Sequence, residues 1–125
     1  MSSSLRKLPD TELEVMQAIW QCTPPVARVD IEEILKDTHP MAMTTLLTLL
    51  TRLSEKGFVQ IEKTGRSASY SPLVSQQEYL AAQSNRFINK LCGGNLSTFA
   101  NALCDSGLSE DEIAQLRDLL ERREL

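Results

Sequence analysis

The hydrophobic pattern of the chain changes from a helical period to a strand period at Gly57, and this change constrains the fold more than any other feature. Four leucines before it recur at the i, i+3, i+4, i+7 spacing of one helix face: Leu46, Leu49, Leu50 and Leu53. After it, apolar and polar residues alternate from Val59 to Lys63, as in a half-buried strand. The pattern predicts a helix over about 42–56 that ends at a left-handed Gly57 and leads directly into a strand.

Two shorter helices are predicted before this one. Residues 10–21 and 29–36 show helical spacing of apolar side chains, with Asp10 as the predicted N-cap of the first helix. Pro24 and Pro25 separate them, because proline lacks the backbone N–H that a continuous helix needs. The three helices fall within fifty residues, and only a short turn separates the last two.

The segment after the first strand predicts a β-hairpin with a basic tip. Thr64, Gly65 and Arg66 form its turn, and alternation resumes up to Pro72. Helix, turn, helix and hairpin follow one another in the order of a winged helix. We therefore expect a mainly α fold with a small β-hairpin, in which residues 1–73 form an N-terminal winged helix-turn-helix domain.

Residues 74–125 are predicted to form three short helices. Capping boxes mark two helix starts, Ser75 with Glu78 and Ser109 with Glu112. Helices of this total length bury little apolar surface alone, so we expect a helical dimerisation domain that pairs with a second copy; packing onto the first domain is the alternative. The predicted dimerisation residues share apolar positions along these helices: Leu80, Phe87, Leu91, Leu96, Phe99, Leu103, Ile113, Leu116 and Leu120.

The overall charge of −4 has the wrong sign for general attraction to phosphate. The charge is unevenly distributed, however. Residues 1–73 hold 8 Lys and Arg against 9 Asp and Glu, whereas residues 74–125 hold 5 against 8. The segment 40–73 holds four basic residues against two acidic ones, so its net charge is +2.

Several classes of protein are excluded by what the sequence lacks. There is no apolar run long enough for a membrane span and no secretory signal, so we expect a cytoplasmic protein without membrane insertion. A single histidine and the lack of a phosphate loop or nucleophile motif argue against an enzyme, a metal site or a cofactor. Cys22, Cys92 and Cys104 form no CxxC pair and are expected to be reduced thiols, with a redox or metal switch between the last two as the alternative.

The face of the third helix opposite its leucines is rich in threonine. Threonine is a poor helix former, so local stability does not explain this face. Small side chains let a helix enter the major groove of DNA, where hydroxyls bond phosphates or base edges and methyls contact thymine. Leu47 falls on the same side and is a second candidate for a thymine contact. The predicted DNA-binding residues are Thr44, Thr45, Thr48, Arg52 and Lys56 from the helix and Lys63 and Arg66 from the hairpin.

Taken in order, these residues resemble the penicillinase and methicillin-resistance repressors and the related copper-responsive repressors. The resemblance covers nearly the whole chain and rests on these residues in order: 8–16 (LPDTELEVM) with Ile19 and Trp20, 45–53 (TLLTLLTRL) with Lys56 and Gly57, 63–66 (KTGR) with 70–72 (YSP), Glu78 and Tyr79 with Phe87, and 93–96 (GGNL). It implies a homodimeric transcription repressor that binds dyad operators in double-stranded DNA. It also implies that Thr45, Thr48 and Arg52 lie on the recognition helix and Arg66 in the wing.

Two departures from the family pattern leave the release mechanism open. The resistance repressors are cleaved at an Asn-Phe bond, whereas the corresponding pair here is about Ala102-Leu103, so a membrane receptor protease remains an untested partner. The copper branch carries a CxC tail that this chain lacks. Two alternatives to a simple repressor stay open at this point, a winged-helix protein-interaction module and a repressor with cysteine-based metal or redox sensing. The operator, the target genes and the inducer are not encoded in any recognisable motif.

Overall fold

In the computed structural model, residues 5–123 are described. The helices are α1 (Asp10–Trp20), α2 (Arg28–Thr38), α3 (Met43–Glu55), α4 (Gln76–Arg86), α5 (Leu96–Cys104) and α6 (Glu110–Arg122), and the strands are β1 (Val26–Ala27), β2 (Val59–Thr64) and β3 (Ser67–Pro72). A π-helical turn, Phe87–Leu91, follows α4 directly. The mainly α fold with a winged helix-turn-helix is confirmed, with helix ends within two residues of those expected.

The helix α3 ends as its sequence predicts. Its four leucines are buried, and Gly57 adopts a left-handed φ of 83°. The N–H of Gly57 donates to the carbonyl of Ser54, and the N–H of Phe58 donates to that of Leu53. These two bonds form a Schellman motif, which satisfies carbonyls at the helix end and turns the chain into β2.

The sheet has one more strand than predicted. Its order is β1-β3-β2, with both pairs antiparallel. The hairpin pairs Val59 with Pro72 at its base and Thr64 with Ser67 at its tip, and the two-residue turn between them has φ 63° at Gly65, as a type II′ turn requires. The added strand β1 has only two residues, too few to show a period of two in the sequence.

One predicted helix start is wrong. Pro9, not Asp10, is the N-cap residue of α1, and it makes no side-chain cap hydrogen bond. The extended backbone of Pro9 lets its own carbonyl accept the first helical hydrogen bond, from Leu13, so Asp10 is already inside the helix. Both predicted capping boxes are present, and the N–H of Ser75 that donates to Glu78 lowers the pKa of that carboxyl.

The chain forms two compact units that divide between Gln83 and Ser84, ten residues beyond the predicted boundary. The reason is that the start of α4 belongs to the first core. Val74 and Tyr79 are buried in that core, and the Tyr79 hydroxyl accepts a hydrogen bond from the N–H of Leu8. Within the described part of the chain, no helix is long and apolar enough to cross a membrane.

Candidate nucleic-acid interface

The outward face of α3 is the first component of the candidate site. Because the four leucines anchor the opposite face in the core, the predicted residues Thr44, Thr45, Thr48 and Arg52 are all exposed. Leu47 lies among them and is 37% exposed. The structure therefore brings together the face that the sequence predicts, on a helix held rigidly by its buried side.

Two hydroxyls of this face are already engaged within the helix. The Thr48 hydroxyl donates to the carbonyl of Thr44, and the Thr51 hydroxyl donates to that of Leu47, each at 3.0 Å. A hydroxyl has one hydrogen, so these two threonines are left with an acceptor oxygen and a methyl group for a ligand. That hydroxyls of this face bond phosphates or base edges stays a prediction, and methyl contacts of Thr48 and Thr51 with thymine are compatible with this geometry.

The wing and α3 enclose a basic groove. Lys63 and Arg66 line it from the hairpin, Leu47 lines it from α3, and its volume is about 500 Å³. The opposite wall is formed by the first turn of α2, including Arg28. Three cations thus surround one open groove at the side of α3.

Arg28 is a site residue that the sequence analysis missed. It is half-buried, and its Nε lies 3.6 Å from a carboxylate oxygen of Glu32. The buried Nε–H makes no hydrogen bond. The available signal was its position at the start of the first helix of the helix-turn-helix, which in such proteins crosses the DNA backbone.

Among the predicted DNA-binding residues, Lys56 makes an ion pair with the first helix. Its Nζ is 2.5 Å from Oε1 of Glu12, which is only 3% exposed and is a buried carboxylate of the first unit. Lys56 therefore neutralises a charge inside the fold and ties the end of α3 to α1. Nothing in the sequence indicated this pair, because the two residues are 44 positions apart.

The predicted dimerisation residues are exposed or half-buried. Leu80 belongs to the first unit, and the others belong to the second, where Phe87 and Phe99 stack edge to face with ring centroids 5.7 Å apart. Among the described residues of the second unit, Cys92 alone is buried. An apolar cavity of about 280 Å³ lies between α5 and α6, lined chiefly by Ala100, Leu103, Cys104, Ile113, Leu116 and Leu120.

The three cysteines occupy different surroundings. Cys22 is half-buried and its thiol donates to the carbonyl of Ala18 at 3.4 Å. Burial, and then the nearby charge of Asp30, raise the pKa of Cys22, so the unreactive thiol form is favoured. Cys92 is buried and Cys104 is exposed, and the described residues contain no group of three potential metal ligands.

Comparisons with known proteins agree with this geometry. The family model described as "Penicillinase repressor" matches residues 8–122. The penicillinase repressor of Bacillus licheniformis is 33% identical over 94% of each chain, and the methicillin resistance regulatory protein MecI of Staphylococcus aureus (strain N315) is 36% identical over 98% of this chain and all of that one. The solution structure of the DNA-binding domain of the repressor BlaI covers 60% of this chain and 90% of that domain, with 31% identity and a TM-score of 0.51.

Proposed function

This chain belongs to the penicillinase repressor family, which consists of DNA-binding transcriptional repressors and not of enzymes, and from that premise we propose that it acts as a homodimer on dyad operators. The observation that carries the proposal is the basic groove beside α3. There Leu47, on the exposed threonine face, adjoins Lys63 and Arg66 of the wing and Arg28 of α2, which also pairs with Glu32. The family favours this function over a winged-helix protein-interaction module.

In the proposed complex, α3 enters the major groove and the flanking cations bind phosphate. A recognition helix in the groove places the first helix of the helix-turn-helix against the backbone, which is the position of Arg28. Lys63 and Arg66 on the wing then meet the backbone or the adjacent minor groove. The positive charge thus lies beside α3, whereas the net negative charge of the chain lies mainly in residues 74–125.

Base recognition is assigned to the methyl-rich part of α3. With their hydroxyl hydrogens donated inside the helix, Thr48 and Thr51 present methyl groups and acceptor oxygens. Leu47, on the same exposed side of α3, adds apolar surface. Such a surface suits thymine methyl groups and the amino groups of adenine or cytosine, and it offers no donor to guanine. Arg52 at the end of this face is the candidate for a guanine edge or a phosphate.

The second unit supports the proposed dimer. Its helices α5 and α6 bury no side chain, and their apolar residues converge on one open cavity. About forty residues without a buried core do not stabilise themselves. A second copy of the same unit supplies the missing surface, and two-fold pairing places two copies of α3 on two half-sites about one helical turn, or a small multiple, apart.

Removing the wing charge tests the phosphate contact. In full-length protein, we expect Arg66→Ala to weaken binding to every duplex sequence and to reduce the salt slope of log K by about one per bound chain. The measurement is fluorescence anisotropy between 50 and 200 mM salt on selected and unselected duplexes. Lys36→Ala removes an equal charge from the exposed end of α2 and serves as the matched control. An unchanged slope in Arg66→Ala would remove the wing from the interface.

Substitutions at Thr48 test the methyl contact. Thr48→Val keeps the methyl and puts a second methyl in place of a hydroxyl that is engaged inside the helix, so we expect it to select the same duplexes as the parent from a random pool. Thr48→Ser loses the methyl, and we expect its preference at one base pair per half-site to relax by about 1–2 kcal/mol, within the usual cost of a mismatch. If Thr48→Val relaxed the base preference and Thr48→Ser retained it, base reading would be assigned to the hydroxyl.

A further inference from the structure

A second basic cavity lies at the other end of the recognition helix, outside the groove described above. Its volume is about 560 Å³, and its lining includes Arg6 and Lys7 from the segment before α1, together with Glu55 and Lys56 from the end of α3. It shares no residue with the groove at the wing. Neither Arg6 nor Lys7 was among the residues that the sequence indicated for DNA binding.

The charge available in this cavity comes from Arg6 and Lys7. Lys56 is neutralised by the buried Glu12, so its charge is already matched. Arg6 and Lys7 are both exposed and make no ion pair with any other described residue. Glu55 contributes one opposing carboxylate, which leaves a net positive site with two free cations.

The backbone on either side of these cations is firmly held, so their positions are defined. The carbonyl of Leu5 accepts a hydrogen bond from the Gln83 side chain at 3.1 Å, and the N–H of Leu8 donates to the Tyr79 hydroxyl at 2.8 Å. Leu8 itself is buried in the core. Arg6 and Lys7 therefore stand on a short segment that is fixed at both ends.

The cavity is continuous with the recognition face. Glu55 follows Thr51 and Arg52 by one helical turn on the outward side of α3, and Glu55 also lines the cavity. The groove at the wing touches α3 at Leu47, eight positions earlier, which corresponds to a rise of roughly 12 Å. The two basic sites therefore lie toward opposite ends of the helix that is proposed to enter the major groove.

We propose that Arg6 and Lys7 bind DNA phosphates beside the C-terminal end of α3, at the other end of the recognition helix from the groove at the wing. The inference rests on the proposed function, since it assumes that α3 enters that groove. It adds a second electrostatic anchor, so that the recognition helix is held from both ends. Glu55 opposes this anchor and limits its strength.

The test compares salt dependence in full-length protein. We expect Arg6→Ala/Lys7→Ala to reduce the salt slope by about two per bound chain, so that between 50 and 200 mM salt the affinity falls about tenfold less than in the parent for each bound chain, or about 100-fold less for a dimer on two half-sites. The bases selected from a random duplex pool stay unchanged. Lys36→Ala/Lys90→Ala removes the same charge from exposed positions outside both basic sites and is expected to retain the parent slope.

The second part of the test removes the acidic charge of Glu55, which opposes Arg6 and Lys7. We expect Glu55→Gln to bind every duplex a few-fold more tightly, because it removes repulsion from the phosphate; weaker binding would contradict the proposal. If the Arg6 and Lys7 double variant keeps the parent slope while Arg66→Ala lowers it, this proposal fails and the proposed function stands. If neither lowers the slope, the proposed function fails as well.

Discussion

Leu120→Asp is expected to convert the full-length protein into a monomer and to lower its affinity for a duplex with two half-sites by about 100-fold or more. Leu120 lies on α6 at the open apolar cavity of the second unit. A buried aspartate opposes pairing of two such surfaces, because its charge would be desolvated without a partner. Without pairing, the second half-site is no longer bound at the high effective concentration that a dimer provides.

Leu73→Asp is the control for Leu120→Asp, because the two leucines are equally exposed. Leu120 and Leu73 are each 56% exposed, so neither substitution removes a core side chain. Leu73→Asp lies in the first unit and should leave both mass and affinity unchanged. Sedimentation gives the mass, and anisotropy with one and two half-sites gives the affinities. A dimer of unchanged mass in Leu120→Asp would show that this surface is not the interface.

Lys56→Ala is expected to destabilise the protein by about 3 kcal/mol, because it leaves the Glu12 carboxylate buried without its partner. The free energy of unfolding is measured by urea denaturation at pH 7. Lys36→Ala breaks a pair with Glu33 in which both side chains are largely exposed, and its expected cost is below about 0.5 kcal/mol.

A paired variant separates the ion pair from general damage to the fold. Glu12→Gln/Lys56→Met removes both charges, so we expect it to recover most of the stability lost in Lys56→Ala. A loss below about 1 kcal/mol in Lys56→Ala, or a double variant no more stable than the single one, would contradict the structural role of this pair. Lys56 would then be free to act as the DNA ligand that its sequence position suggests.

The part of the fold that was predictable rests on local patterns. The leucines of α3 and the left-handed Gly57 are separated by a few residues, so helix, cap and hairpin follow from periodicity and turn chemistry. The same leucines determine which residues face outward, which is why the threonine face was predictable. Strand β1 was not, because two residues show no period and its pairing with Tyr70 spans more than forty positions.

The side-chain contacts that the sequence did not predict depend on distant partners. Glu12 and Lys56 meet only when α1 packs on the end of α3, and Arg28 joins Lys63 and Arg66 only when the wing folds beside α2. The direction of the Thr48 hydroxyl depends on its side-chain rotamer, which cannot be predicted from the sequence pattern. The domain boundary shifted for a related reason, since Tyr79 bonds to Leu8 across seventy-one positions.

Sequence reading by α3 is tested by the ratio of two affinities of the full-length protein. Duplexes selected from a random pool are compared with unselected duplexes of the same length and composition at physiological salt. A sequence-reading repressor predicts at least a 1000-fold preference, on the order typical of specific DNA binding, and protection of two half-sites related by a dyad. A ratio near one, with no protected half-sites, would contradict the assignment of α3 as a recognition helix.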